Sequence, residues 1–297
     1  MRRGKRDLYG STKAVVAGAL LVGLAAALVA CAAPQAAEQS VSEDVVRVWV
    51  SIVPQEYFVE RIGGDRVQVE VMVPPGFNPA VYEPKPSQIE DLTGADMYVR
   101  IRVPFEEAWL NRIIAANEAL LLVDQSQGID RIEGKDPHIW LSPRLAKMQA
   151  RTICDGLAQI DGSNEGFYRA NLDAFLADLE ELDASIDETL SRVETRKFLV
   201  FHPAWSYFAR DYGLEMIPVQ IEGSDPSAAD MAQLIETAQT ENIRVIFAQP
   251  EFSTQSAETI AREIGGQVLL ISPLAPDWML NLRRVADTFA EVLAEGG

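Results

Sequence analysis

Two sets of short apolar, β-branched runs, separated by amphipathic stretches, occupy most of this chain of 297 residues. Each set contains four runs of strand length, and turn-forming residues bound most of them. Because strands that alternate with helices form parallel sheets covered on both faces, the pattern predicts an α/β fold with a mostly parallel sheet in each of two lobes. The predicted strands are residues 46–52, 67–73, 97–101, 120–124, 198–201, 215–221, 244–249 and 267–272.

A long segment without proline, residues 164–196, separates the two sets. Its apolar residues recur at steps of three and four, which predicts one amphipathic helix. Thirty helical residues would span about 45 Å, enough to run along both lobes as a spine. An ordinary core helix within one lobe is the alternative. We therefore expect an N-terminal lobe at 45–163, a linking helix at 164–196 and a C-terminal lobe at 197–297.

The first thirty-one residues have the pattern of an export signal. A basic start, "MRRGKR", precedes an apolar run that ends at Cys31, and the run is short for a bilayer span. The stretch "LVAC" at 28–31 resembles the lipobox of bacterial lipoproteins, so we expect cleavage before Cys31 and lipidation of its thiol. An uncleaved anchor helix is the alternative. Residues 32–44 are small and polar, as in a flexible tether.

Charge and cysteine content narrow the choice of partners. The full chain carries −18, and the first thirty-one residues hold five basic residues and one acidic residue, so the remainder carries −22. Such an acidic protein is a poor partner for nucleic acid or an anionic membrane face. The other cysteine, Cys154, lies on the apolar face of a predicted helix, and we expect a buried free thiol.

The chain contains only two histidines, in similar settings. His202 follows a predicted strand in "FLVFHPAW", and we expect Pro203 to open a helix. His138 lies in "DPHIWLSP", where we expect an extended stretch followed by a helix capped by Ser142. Parallel sheets bind ligands at the carboxyl ends of their strands, so two loops from each lobe predict a ligand cleft between the lobes. Two histidines could supply two corners of a zinc site there, although a lone histidine near a helix start is more often structural.

Several motifs in order resemble the zinc and manganese substrate-binding lipoproteins of ABC importers. They are "PGFNPAVYEPKPSQ" (75–88), "DPHIWLSP" (136–143), "FHPAWSYFARDYGL" (201–214) and "VIFAQPEFSTQSAETIAREIGGQVLLISPLAPD" (245–277). The likeness extends from about residue 46 to the C-terminus. It implies two α/β lobes bridged by one long helix, with a metal held by four side chains, one from each of four loops.

The resemblance carries over two metal ligands and lacks two others. His138 and His202 match ligand positions of the family, and histidine at the second of these is more typical of zinc binders than of manganese binders. The family's first ligand histidine is replaced by Ala80 and its last aspartate by Ser272. Zinc needs about four donors, so water or other carboxylates must complete the site.

Nearby acidic side chains are candidates for these missing ligands. Glu83 and Asp277 lie close in sequence to the two substituted positions, and Glu251 follows the strand predicted at 244–249. Each could instead be a solvated or helix-capping carboxylate. Trp140 and Trp205 are expected to form walls of the site.

Two arginines at a strand exit point to a different ligand. Arg100 and Arg102 stand where the family often has glycine, and guanidinium groups suit carboxylate or phosphate. An arginine facing the site would favour an anion or a metal with an anionic chelator. The alternative is an outward arginine paired with Glu106 or Glu107.

The sequence therefore favours an exported lipoprotein that captures a divalent transition metal, zinc (Zn²⁺) before manganese (Mn²⁺), and delivers it to an ABC permease driven by its ATPase. We expect a monomer tethered to the cell membrane, facing the periplasm or cell exterior, without nucleic acid or a catalytic cofactor. One alternative keeps the fold and binds an anion, metal chelate or organic solute. A second is an exported adhesion or scaffold protein with a degenerate metal site. An enzyme is not indicated, since the sequence shows no phosphate loop, nucleophile elbow or HExxH motif.

Overall fold

The computed structural model describes residues 45–221 and 223–294. The predicted export signal, the predicted lipidation site at Cys31 and the predicted tether all lie outside these residues. Within them, no helix combines the length and apolar character needed to span a bilayer. Everything below concerns the body of the protein that follows the predicted tether.

The first sheet contains four parallel strands in the order β2-β1-β3-β4. The β-branched runs predicted at its start form the two longest strands, and their bounds are the predicted ones. Adjacent strands reach each other through crossover helices, as parallel pairing requires. The strands are β1 (Val46–Ile52), β2 (Val67–Val73), β3 (Met97–Arg100) and β4 (Leu121–Asp124).

The second sheet repeats this arrangement with the order β6-β5-β7-β8, again all parallel. Its strands end before the predicted bounds, although Val219 and Ile271 beyond those ends are still buried. Apolar pattern records burial rather than ladder hydrogen bonding, so it overestimates strand length where the chain turns toward the loops. The strands are β5 (Lys197–Val200), β6 (Glu215–Pro218), β7 (Val245–Ala248) and β8 (Gln267–Leu270).

Helices flank both sheets, as the alternating pattern predicts. Five of the α-helices have a proline in the first helical turn or a serine cap, so the boundaries of these helices follow local chemistry. The helices are α1 (Val53–Gly63), α2 (Pro86–Asp91), α3 (Pro104–Ala116), α4 (Pro143–Ile160), α5 (Glu165–Ser191), α6 (Ser206–Asp211), α7 (Ala228–Thr240), α8 (Gln255–Glu263) and α9 (Trp278–Ala294).

Helix α5 is the long linking helix. It spans 27 residues, about 40 Å, and buries the apolar stripe read from the sequence, from Leu172 to Leu190. Arg196 donates to the carbonyl oxygen of Leu190 at 3.0 Å, which satisfies a backbone acceptor at the helix end. The helix packs against α1 and α4 from the first half and α9 from the second. It thus contacts elements of both halves.

The buried core also crosses from one half to the other. One apolar cluster runs from Val46 in β1 to Leu293 in α9 and includes residues of both sheets. A smaller cluster lies under α7 and α8 on the second sheet. Cys154 belongs to the large cluster as a buried free thiol, as predicted.

Candidate metal centre

The loop that carries His138 has one feature that the sequence did not predict. Residues Ile139–Leu141 form a 3-10 turn rather than an extended stretch, because the Leu141 N–H donates to the carbonyl of His138 at 3.1 Å. Ser142 caps α4 as predicted, and its hydroxyl accepts the Leu145 N–H. The turn and the cap together fix the backbone at His138 and therefore the direction of its side chain.

His202 follows β5 after one residue. The Ala204 N–H donates to the carbonyl of His202 at 2.8 Å, closing a tight turn. Helix α6 therefore begins at Ser206, and the expectation that Pro203 opens it is wrong. The side-chain amide of Gln249, at the end of β7, accepts the His202 N–H at 3.2 Å and donates to its carbonyl at 2.8 Å. These two hydrogen bonds hold the backbone of His202 at the carboxyl ends of the strands of the second sheet.

The structure brings the two histidines together, although 64 residues separate them. Their Nε2 atoms lie 3.3 Å apart. The Nδ1 atom of His138 lies 2.8 Å from Oδ1 of Asp136, and the Nδ1 atom of His202 lies 3.0 Å from Oε1 of Gln220. Both of these oxygens are acceptors, so each Nδ1 carries a proton, and in the neutral ring Nε2 then presents a lone pair.

Electrostatics around the pair keep His202 neutral. Burial, together with the neighbouring His138, lowers the pKa of His202 to about 4, despite its hydrogen bond to the Gln220 side-chain oxygen, which opposes the shift. Asp136 has a lowered pKa because its hydrogen bonds with His138 outweigh the cost of burial. Metal ligation requires a neutral imidazole, as at His202, and is favoured by an ionised carboxylate that orients the ligand ring, as Asp136 does for His138.

The separation of the two nitrogen atoms fits a tetrahedral zinc ion. Zinc–nitrogen bonds of about 2.0–2.1 Å at a tetrahedral angle place two ligand nitrogens about 3.3–3.4 Å apart. The observed 3.3 Å between the Nε2 atoms matches that edge. Two facing lone pairs repel each other unless a cation lies between them. The pair can therefore hold a metal as two of its ligands.

Aromatic rings enclose the pair. Phe252 stacks on the His202 ring at 4.6 Å between centroids, and Trp140 lies 5.1 Å from the His138 ring. Trp205 does not reach the histidines but packs in the core against Phe208 at 5.7 Å, so only Trp140 forms the predicted wall. These rings lower the local dielectric and limit water access to the imidazoles.

The two substituted positions, Ala80 and Ser272, and the three candidate carboxylates do not gather around the histidines. Ala80, Glu83 and Asp277 are exposed, and Asp277 directly precedes α9, a capping position. Ser272 and Glu251 meet each other, with the Ser272 hydroxyl 3.3 Å from Oε1 of Glu251. Among residues 45–221 and 223–294, no third histidine, cysteine or acidic residue joins the histidines in a set that could hold a metal.

Glu251 nevertheless has an unusual carboxylate. Burial raises its pKa, and its Oε2 atom is buried without a hydrogen-bond partner within the described part of the chain. The Ser272 hydroxyl donates to its other oxygen, Oε1. A carboxylate in this state tolerates protonation more readily than an exposed one.

Arg100 and Arg102 both pair with Asp124 at the end of β4, at 2.8 and 2.7 Å, rather than with Glu106 or Glu107. Glu106 is turned inward, where its carboxylate accepts the backbone N–H groups of Ile101 and Arg102 at 3.0 and 2.9 Å. The sequence expectation named the wrong acid because parallel pairing places Asp124 beside Arg100 in the sheet.

Four functional neighbours escaped the sequence reasoning: Asp136, Gln220, Gln249 and Phe252. Asp136 carries a signal in the Asp-Pro-His spacing, since a carboxylate two residues before a histidine can fold back onto its ring. Gln220 and Gln249 lie near the carboxyl ends of the strands predicted at 215–221 and 244–249, the ends at which parallel sheets bind ligands. Phe252 had no recognisable signal.

Comparison with known proteins is consistent with this geometry. Residues 48–292 match the model of a protein family described as ZnuA, zinc-uptake complex component A, periplasmic. This chain belongs to the ZnuA family. The zinc and manganese importer resemblance is thereby confirmed at the level of family.

Individual ZnuA relatives agree. The chain is 29% identical over 254 residues to the high-affinity zinc uptake system protein ZnuA of Bacillus subtilis, covering 78% of this chain and 79% of the relative. A crystal structure of ZnuA matches with 49% identity and a TM-score of 0.82, covering 84% of this chain and 99% of that one. A ZnuA deletion mutant with zinc bound matches with 48% identity, a TM-score of 0.81 and the same coverage. The two-sheet architecture with a linking helix is thus the ZnuA fold, and the family is one of transport components.

Proposed function

We propose that this chain captures a divalent transition metal, zinc in preference to manganese, between His138 and His202 and delivers it to an ABC permease. The observation that carries the proposal is the 3.3 Å separation between the Nε2 atoms of the two histidines. In each ring, the other nitrogen, Nδ1, is hydrogen-bonded to a side-chain oxygen. Two neutral imidazoles suit zinc better than manganese, which prefers oxygen ligands. The remaining coordination positions are open to water, a bound anion or the carboxylate of Glu251.

The setting of this function rests on the sequence and the family. Cleavage before Cys31 and lipidation of its thiol would tether a monomeric body to the membrane, facing the periplasm or the cell exterior. An ATPase that energises the permease is the third component. The chain itself carries out no chemistry on the metal.

The direct test is zinc uptake by the purified chain. Equilibrium dialysis should give a zinc affinity that falls at least about hundredfold in the His138→Ala, His202→Ala double variant, because two of the ligands are lost. Manganese should bind more weakly than zinc. Equal zinc uptake by the wild type and the double variant would refute the proposal.

The candidate carboxylate ligands can be tested in the same assay. Glu83→Gln and Asp277→Asn should leave zinc affinity within about threefold of the wild type, since both side chains are exposed. Glu251→Gln decides whether that buried carboxylate moves onto the metal. A loss of tenfold or more would assign Glu251 as a third ligand.

A further inference from the structure

Three arginines converge at the end of the first sheet. Arg100 and Arg102 both contact Oδ2 of Asp124, at 2.8 and 2.7 Å. Arg131 donates through Nη2 to the carbonyl of Ile101 at 2.8 Å. The other oxygen of Asp124 accepts the hydroxyl and backbone N–H of Ser126 at 2.6 and 3.1 Å. We call Arg100, Arg102 and Arg131 the arginine cluster.

The arginine cluster is only partly neutralised by the protein. Both oxygens of Asp124 are already engaged, and the carboxylate of Glu106 accepts two backbone N–H groups instead of a guanidinium. The Nε atom of Arg100 is buried and has no hydrogen-bond partner among the described residues. The Arg102 side chain is 53% exposed. The exposed guanidinium of Arg102 therefore retains N–H donors for an oxyanion, in a protein that is otherwise strongly acidic.

The backbone at Arg102 supports a role for its side chain. Its φ angle of 63° lies in the left-handed region, which glycine adopts without strain and arginine does not. Glu106 accepts the N–H and Arg131 donates to the carbonyl of the peptide group between Ile101 and Arg102, which holds this conformation in place. The arginine therefore costs stability here that a glycine would not. A guanidinium that binds a ligand would explain its presence.

A short series of contacts connects the arginine cluster to the histidine pair. The N–H of Ile132, next to Arg131, donates to the Tyr207 hydroxyl at 3.0 Å. That hydroxyl donates to the carbonyl of Asp136 at 2.9 Å, and the Asp136 carboxylate holds the Nδ1 atom of His138. The arginine cluster and the metal centre are therefore joined through a single loop, residues 131–138.

We propose that the metal is bound together with a small oxyanion, a carboxylate or phosphate, which fills open coordination positions at the histidine pair and contacts the arginine cluster through Arg102. The proposal rests on the proposed function, because it assumes metal binding at His138 and His202. Two histidines leave two tetrahedral positions for such a co-ligand. Bidentate pairing of guanidinium with carboxylate or phosphate supplies the second anchor.

The experiment is a zinc-binding titration by equilibrium dialysis, in which the free zinc concentration is varied and measured, with and without citrate or inorganic phosphate. In the wild type we expect one anion to lower the half-saturating free zinc concentration at least about fivefold. Arg102→Gly should abolish this gain while keeping the backbone, because glycine accepts the φ angle. Arg102→Lys should retain part of it, since lysine keeps the charge and loses the fork. Arg192→Gln removes one charge from the exposed end of α5 and should leave the gain intact.

Each outcome bears on a separate claim. A gain with citrate alone identifies a carboxylate co-ligand, and a gain with phosphate alone identifies a phosphate. Zinc uptake that neither anion changes overturns this inference and leaves the proposed function standing. A full gain in Arg102→Gly overturns the assignment to the arginine cluster. Absence of zinc uptake under every condition refutes the proposed function itself.

Discussion

At the residue scale, the site depends on the hydrogen bonds at Nδ1 that orient the two imidazole rings. Asp136 holds the Nδ1 atom of His138 and Gln220 holds that of His202, so the two Nε2 atoms face each other. The two histidines themselves could be singled out from the sequence, because the chain has only two. The orienting groups were not, because Gln220 comes from a different loop and meets His202 only in the folded sheet.

Asp136→Ala should weaken zinc binding by about tenfold to hundredfold, because His138 loses the carboxylate that fixes its tautomer and ring orientation. Equilibrium dialysis measures the effect. Asp136→Asn should restore part of the affinity, since an amide oxygen still accepts the Nδ1 proton. Asp130→Ala changes an exposed aspartate in the same loop and should have no effect. Unchanged affinity in Asp136→Ala would contradict the orienting role.

A pH-dependent prediction concerns Asp124. Burial would raise its pKa, but hydrogen bonds from Ser126, Arg100 and Arg102 outweigh burial and hold the pKa at about 2. The folded-state pKa is below the unfolded value of about 3.9, so the carboxylate stabilises the fold above pH 4 and loses this contribution as pH falls toward 2. The contribution is ~1–2 kcal/mol, since the side chain is partly solvated.

Urea unfolding of the wild type and Asp124→Asn measures this contribution. The difference in unfolding free energy should be largest above pH 4 and should shrink between pH 4 and pH 2. The subtraction removes the opposing effect of carboxyl groups with raised pKa, such as Glu106. A difference that does not change with pH would show that Asp124 acts through shape rather than charge.

At the element scale, the start of α4 joins the loop that carries His138 to the second half of the protein. Ser142 caps α4 by accepting the Leu145 N–H, and its hydroxyl donates to Asp211 at the end of α6. The cap was predictable from the Ser-Pro sequence, and the link to Asp211 was not. One side chain thus satisfies a helix end and bridges elements 69 residues apart.

Ser142→Ala should lower the free energy of unfolding by about 1–3 kcal/mol, since it removes a cap and leaves the buried Asp211 carboxylate without this donor. Ser227→Ala is the matched control. Ser227 caps α7 through the Asp230 N–H on the exposed surface, and its loss should cost only about 1 kcal/mol. Equal losses in the two variants would show that the contact with Asp211 contributes nothing.

At the scale of the whole molecule, the two halves share one core. The large apolar cluster includes strands of both sheets, and α5 packs against helices from both halves. Two indole groups add polar links: Trp140 donates to the Pro273 carbonyl at 2.7 Å, and Trp278 donates to the Trp140 carbonyl at 2.9 Å. These contacts couple the halves around the metal centre.

The body should therefore unfold in one cooperative step. Far-UV circular dichroism and tryptophan fluorescence should give coincident urea transitions, because neither sheet can lose its partners without exposing the shared core. Separate midpoints for the two probes would show that the halves are energetically independent. Saturating zinc should shift both probes together, since the two histidines come from different halves.

The sequence by itself determined the periodic features of this protein. Apolar spacing predicted two parallel sheets and a long helix, and residue scarcity singled out His138 and His202. Local chemistry marked the cap at Ser142. These features are local, because each depends on residues a few positions apart.

Only the tertiary structure decided which distant groups meet. It placed two imidazoles 3.3 Å apart, paired Ser272 with Glu251, and turned Arg100 and Arg102 toward Asp124 instead of the acidic residues that follow them in the chain. Strand order in the sheet sets these contacts, and strand order is not encoded in spacing along the chain. The candidate histidines were thus recognisable in the sequence, while the contacts that surround them depend on the fold.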